Sequence, residues 1–106
     1  MKKGDIVLIP FPFTDLKGSK IRPALILHVA EFDVTVCFIT SELKWQTEFD
    51  IHLSPTPTNG LKTHSIIRIN KIATIDSDLV LGELGKLTLM EINELNESLS
   101  KLLQIR

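Results

Sequence analysis

At 106 residues, with 43% apolar and 24% charged side chains, the chain has the size of one domain and an ordinary globular composition. That excludes a fibrous or disordered protein, and no apolar run approaches the roughly 20 residues that a membrane helix needs. The net charge of −1 does not mark a general nucleic-acid binder. Its distribution is uneven, however. Residues 1–30 hold Lys2, Lys3, Lys17, Lys20 and Arg22 against Asp5 and Asp15, whereas 31–80 is acidic. Such a local patch suits a few phosphate contacts, and a solvated loop would carry the same charges. Met1-Lys2-Lys3 runs straight into a short strand without the features of a signal peptide, so the expected location is cytoplasmic. The single cysteine, Cys37, cannot form an internal disulfide and reads as a core residue. No Cys/His spacing suits zinc, and no metal or other cofactor is expected.

Ile6 to Ile9 is a β-branched apolar run and is expected to be a strand ended by Pro10 and Pro12. Thr14 to Lys20 is a loop by composition. Pro23 lacks an N–H and is expected to open the second strand, Pro23 to Val29. It also pushes Arg22 into an extended conformation at the strand mouth. A guanidinium held there matches phosphate oxygens, although a plain surface arginine is the alternative. Glu31-Phe32-Asp33 is too short for a parallel crossover. Val34 to Thr40 should therefore pair with the second strand as an antiparallel hairpin. Arg22 lies about eight residues before the hairpin tip and Thr40 about eight after it, so simple register makes them neighbours unless a bulge intervenes.

Ser41 to Glu48 is either a loop or one helical turn. Asp50 to Leu53 alternates as a half-exposed strand, and 54–60 is a loop. Ser65 to Asn70 is a strand that Lys71 to Ile75 extends or bends, with Arg68 and Asn70 on one face. Leu79 to Leu84 is a last strand region, broken by Gly82 and Gly85. Thr88 with Glu91 forms a capping-box sequence, and Ile92, Leu95, Leu99, Leu102 and Leu103 share a helical face. The whole reads as mainly β, a small antiparallel barrel with a C-terminal helix, in a single domain over 1–106. His28 and His52 read as structural or solvated, and His64 as a candidate substrate contact. Phe11, Phe13 and Trp45 are large apolar groups near loops, which marks an interface; Trp45 could also stack a base.

Several stretches together resemble the MazF/PemK family of toxin–antitoxin toxins. They are Gly4-Asp5 with its strand, Arg22-Pro23-Ala24-Leu25-Ile26-Leu27, Phe38-Ile39-Thr40-Ser41, Gly60-Leu61, Ser65-Ile66-Ile67-Arg68 and Lys71-Ile72-Ala73-Thr74-Ile75. The resemblance covers nearly the whole chain. It implies an SH3-like barrel, usually a homodimer, and a sequence-specific endoribonuclease that cuts single-stranded RNA without metal and is held in check by an antitoxin. It implies catalytic roles for Arg22, Thr40 and Arg68, with Lys17, Lys20, Ser41, His64 and Asn70 as substrate contacts. Three positions depart from the family pattern. Asn70 stands where some members carry an aspartate, Ala73 where others carry an arginine, and Lys20 follows the Gly-Ser loop directly in place of a glutamate or glutamine. An amide cannot serve as a general base. The competing reading is a non-catalytic barrel that binds protein or nucleic acid, as in the gyrase-poisoning toxins of similar fold.

Overall fold

The computed structural model describes residues 1–11 and 20–105. Lys17 and Phe13 lie outside the described residues, as does the Trp45 side chain. Among the described residues, six antiparallel strands form one sheet: β1 (Asp5–Phe11), β2 (Lys20–Val29), β3 (Asp33–Thr40), β4 (Ile51–Leu53), β5 (Ser65–Asp76) and β6 (Gly82–Lys86). One helix follows, α1 (Leu89–Leu103). The strand order is β4-β5-β3-β2-β1-β6, so the edges β4 and β6 do not pair with each other. The result is a curled half-barrel with a helix, as the alternation and the capping box predict.

The two faces of the sheet bury different clusters. One carries Ile6, Leu25, Cys37, Ile39, Ile67 and Ile69, and α1 packs on it through Ile92, Leu95, Leu99 and Leu102. Leu103 does not join them; it is 56% exposed in the last turn. The other face carries Val7, Ile9, Ala24, Ile26, Val34 and Val36. This is the period-2 alternation of strands that are covered on both sides. Thr88 Oγ1 accepts from the Glu91 amide, and Glu91 Oε1 accepts from the Thr88 amide, so the helix start is doubly capped. Ser98 Oγ donates to the Phe49 carbonyl at 2.5 Å and ties the helix to the chain entering β4.

Pro10 and Pro23 sit inside strands, and the reason is the same for each. Pro10 pairs with Ile21, and Pro23 pairs with Leu8. The Leu8 carbonyl accepts from Leu81 on the β6 side, so Pro10, two residues on, also turns its nitrogen that way. The β1–β6 ladder has already ended at Leu8 there. The Ile26 carbonyl accepts from Gly4 on the β1 side, so Pro23, three residues back, turns its nitrogen towards β3. The β2–β3 ladder starts one residue later, at Ala24–Phe38. Each proline thus occupies a place where no ladder bond is made.

Other boundaries also differ from expectation. Leu43–Trp45 is a short 3-10 turn, the helical alternative for that stretch. A second 3-10 turn, Ser77–Leu79, delays the last strand to Gly82, because Asp76 Oδ1 accepts from the Asp78 amide. Gly85 lies within that strand and does not break it. A Cβ there would stand 2.4 Å from the Asn59 carbonyl, and one on Gly60 (φ +70°) would stand 2.2 Å from the Leu84 carbonyl oxygen. Glycine lets the 54–61 loop press directly on β6. Asn59, 2% exposed, locks that loop. Its Oδ1 accepts from the Thr56 and Leu61 amides, and its Nδ2 donates to the Ser54 carbonyl. Among the described residues, no helix is long and apolar enough to cross a membrane.

Asn59→Ala removes the partner of the buried Leu61 amide and of the part-buried Thr56 amide and Ser54 carbonyl, so the loss expected in urea unfolding is about 1–3 kcal/mol. Burial pushes the Cys37 thiol from its ordinary 9.0 up to about 12. The unfolded chain releases that proton above pH 9 and the folded chain holds it, so stability falls as pH rises from 9 towards 12. The slope from this group approaches ~1.4 kcal/mol per pH unit. In Cys37→Ala the decline measured between about pH 8 and 10 should be shallower than in the wild type.

Candidate active site

The β2–β3 register is not the simple one. Val29 faces Val34 and His28 faces Thr35, but Ile26 faces Val36, so Leu27 is an extra residue on β2. Without this bulge Arg22 would continue opposite Ser41. With it, two further steps from Ala24–Phe38 bring Arg22 opposite Thr40. The two residues therefore share a face of the sheet. Arg22 also pairs with Ile9, which places it on the face of the Val7–Ile9–Ala24 cluster, where that cluster runs out.

Arg68 reaches the same face from β5, opposite Phe38. A three-residue slip follows it, since Cys37 faces Ile72 and Phe38 faces Arg68. Ile69, Asn70 and Lys71 form the bulge, with Ile69 buried and Asn70 exposed.

Because β2 and β3 part at Pro23, their ends flank open space. A cavity of about 280 Å³ lies on one side, lined by Arg22, Thr40, Ser41, Glu42 and Arg68 with Phe11 and Phe38 as an apolar wall. The two rings meet edge to face, with centroids 5.5 Å apart. A second cavity of about 290 Å³ lies across the strand ends and shares Arg22, Pro23, Ile39, Thr40 and Ser41 with the first. Its far wall is Gly60, Leu61, Lys62 and Thr63, held by the Asn59 lock. Arg22, Thr40 and Ser41 thus stand on a ridge between two hollows.

Thr40 is half-buried, and its Oγ1 accepts from the Glu42 amide at 3.0 Å. That fixes the hydroxyl rotamer and leaves its own hydrogen to donate. Arg22 and Ser41 are exposed, and Arg68 is half-buried. Two guanidiniums, two hydroxyls and one carboxylate thus converge among the described residues, an arrangement able to bind an anion and stabilise added negative charge.

The remaining sequence-derived candidates stand elsewhere. Lys20 is exposed at the start of β2 opposite Phe11 and lines neither cavity. Asn70 lines neither. His64 Nε2 lies 3.1 Å from His52 Nδ1, so the two exposed rings pair with each other beside the cavities. Sequence reasoning overlooked Glu42, Phe38 and Lys62. Glu42 had a signal: it is two residues past Thr40, the spacing at which a threonine hydroxyl takes the amide. Among the described residues, no group of three or more His, Cys, Asp or Glu side chains could hold a metal ion.

If the missing N–H of Pro23 is what separates the strands, Pro23→Ala should extend the ladder. Hydrogen exchange by NMR should then find the amide gained at position 23 protected. Free exchange there would assign the separation to another cause.

The sequence profile described as a PemK-like, MazF-like toxin of a type II toxin–antitoxin system matches residues 2–103. Comparison with curated proteins gives no sequence match. Among solved structures, the fold is similar to an endoribonuclease from a mycobacterial species in complex with its cognate antitoxin, with TM-score 0.78 and 17% identity over 100% of this chain and 97% of that one. It is also similar to the Mycobacterium tuberculosis toxin MazF-mt6, with TM-score 0.77 and 21% identity over 96% and 98% of the two chains. A third similar structure is MazF in the MazE–MazF complex of Deinococcus radiodurans, with TM-score 0.76 and 20% identity over 100% and 97%. At such identities the likeness establishes the fold.

Proposed function

Because the chain belongs to the PemK-like, MazF-like toxins of type II toxin–antitoxin systems, we propose that it is an endoribonuclease acting on single-stranded RNA. The observation that carries this reading is the convergence of Arg22, Thr40, Ser41 and Arg68 on one cavity at the parted ends of β2 and β3. The similar structures include an endoribonuclease, which supports it.

Cleavage uses the substrate's own 2′-hydroxyl as nucleophile and needs no metal. The scissile phosphate sits on the ridge, with the nucleotides on either side lying towards the two hollows. Arg22, on a proline-stiffened backbone, offers a planar fork to the phosphoryl oxygens, and Arg68 adds charge from β5. Thr40 donates its fixed hydroxyl to a phosphoryl oxygen, and Ser41 contacts the adjoining sugar or phosphate. The Phe11–Phe38 wall offers rings on which a base can lean. Lys17, Lys20, His64 and Asn70 contact RNA beyond the reacting phosphate. A homodimer and a cognate antitoxin complete the assembly. The antitoxin's acidic segment covers Arg22 and its neighbouring lysines and so excludes RNA. The chain works as one domain in the cytoplasm.

Arg22→Ala should slow cleavage by about two to three orders of magnitude, the cost of losing one well-placed charge-stabilising donor. Arg22→Lys should not restore the rate, because an ammonium lacks the fork. Cleavage should persist in chelator, leave a 2′,3′-cyclic phosphate on the upstream fragment, and fail on a substrate with one deoxynucleotide before the cut. Full activity of a folded Arg22→Ala protein would remove the site from the reaction.

A further inference from the structure

Attack by a 2′-hydroxyl requires a group to take its proton, and the arginines cannot do so at any accessible pH. Asn70 stands where some relatives carry a carboxylate, but an amide is no base, and it lies outside both cavities. The histidines do not fill the gap. His52 and His64 lean on each other, and neither lines a cavity.

One described carboxylate does line the cavity that holds Arg22, Thr40 and Arg68, and it belongs to Glu42. Its side chain is exposed, and its backbone is held at both ends. The Glu42 amide donates to Thr40 Oγ1 at 3.0 Å, which turns the chain immediately after β3. The 3-10 turn Leu43–Trp45 begins at the next residue and pins the other end. Glu42 is thus tied to the very hydroxyl that faces the phosphate. We propose that Glu42 is the general base, replacing from β3 the carboxylate that β5 lacks. This rests on the ribonuclease reading above.

The step balances without a further reagent. A Glu42 carboxylate oxygen takes the 2′-hydroxyl proton as the 2′-oxygen forms its bond to phosphorus. The bond from phosphorus to the 5′-oxygen breaks, and that oxygen takes a proton from water. Glu42 then returns its proton to solvent. Among the described residues, the charged groups facing it across the cavity are both cations, Arg22 from β2 and Arg68 from β5.

The test is single-turnover cleavage of an RNA containing one cuttable ribonucleotide, from about pH 4.5 to 8.5, a range that spans carboxylate titration. Substituting the side chain spares the amide bond to Thr40, so Glu42→Gln isolates the carboxylate. We expect Glu42→Gln to lower the rate at least about a hundredfold, with little change in RNA affinity. The rise in rate with pH through the carboxylate range should vanish in that variant. Glu42→Asp should recover part of the rate. A Glu42→Gln enzyme within a few-fold of wild type, or one that keeps the acid limb, overturns the assignment. So does equal slowing in Glu42→Gln and Glu42→Asp with the acid limb kept. Loss of activity in Arg22→Ala alongside a normal Glu42→Gln sinks the base and leaves the ribonuclease reading standing. A wild type no faster than Arg22→Ala overturns both.

Discussion

At position 23 the backbone nitrogen of β2 points towards β3 and carries a ring carbon in place of a hydrogen. No ladder bond can form there, and the pairing that runs from Val29 to Ala24 stops. The opposite edge of β2 is unaffected, since Lys20 to Leu25 pair with β1 without interruption. One strand is therefore anchored on one side and released on the other. The released side is where both cavities form, and both are lined by Pro23 itself. Opening a sheet usually leaves polar backbone exposed to solvent or in need of partners. A proline opens it with one fewer donor to satisfy, and its anchored edge keeps Arg22 from moving with the gap.

The bulges then decide which side chains meet in that gap. A one-residue slip reverses the face of every side chain beyond it. The extra residue at Leu27 and the three-residue slip after Arg68 are both odd in number. Arg22, Thr40 and Arg68 consequently arrive on the face that buries Val7 and Ile9, at the end where that cluster gives way to the Phe11–Phe38 contact. The other face keeps the apolar packing on which α1 sits. Polar chemistry is added where the second core ends, so it does not displace apolar packing from the first.

Much of this was legible in the chain. Apolar runs bounded by turn residues located β2, β3 and β5, the Thr88–Glu91 pair located the helix start, and hairpin arithmetic put Arg22 near Thr40. A bulge does intervene, and it shifts Arg22 from opposite Ser41 to opposite Thr40 rather than parting the pair. Proline was read too simply. A missing donor forbids a ladder bond, not a strand, and which edge the nitrogen faces depends on pairing that no local pattern reveals. The last strand was misplaced because the Asp76 side chain, acting through one hydrogen bond, spends three residues in a turn. Asn59 was invisible for a different reason. Its worth lies in three local backbone partners, and a Pro-Thr-Asn-Gly stretch looks the same whether it is solvated or locked.

Charge explains why composition was silent about the site. The whole chain is at −1, yet the walls of the two cavities carry Arg22, Arg68 and Lys62 against Glu42 alone among the described residues. The sign reverses locally because these four come from three strands or their ends and one loop, far apart in sequence. Such a hollow, walled by apolar rings and leucines, strengthens the field that a phosphate meets over what the same charges would exert in open solvent.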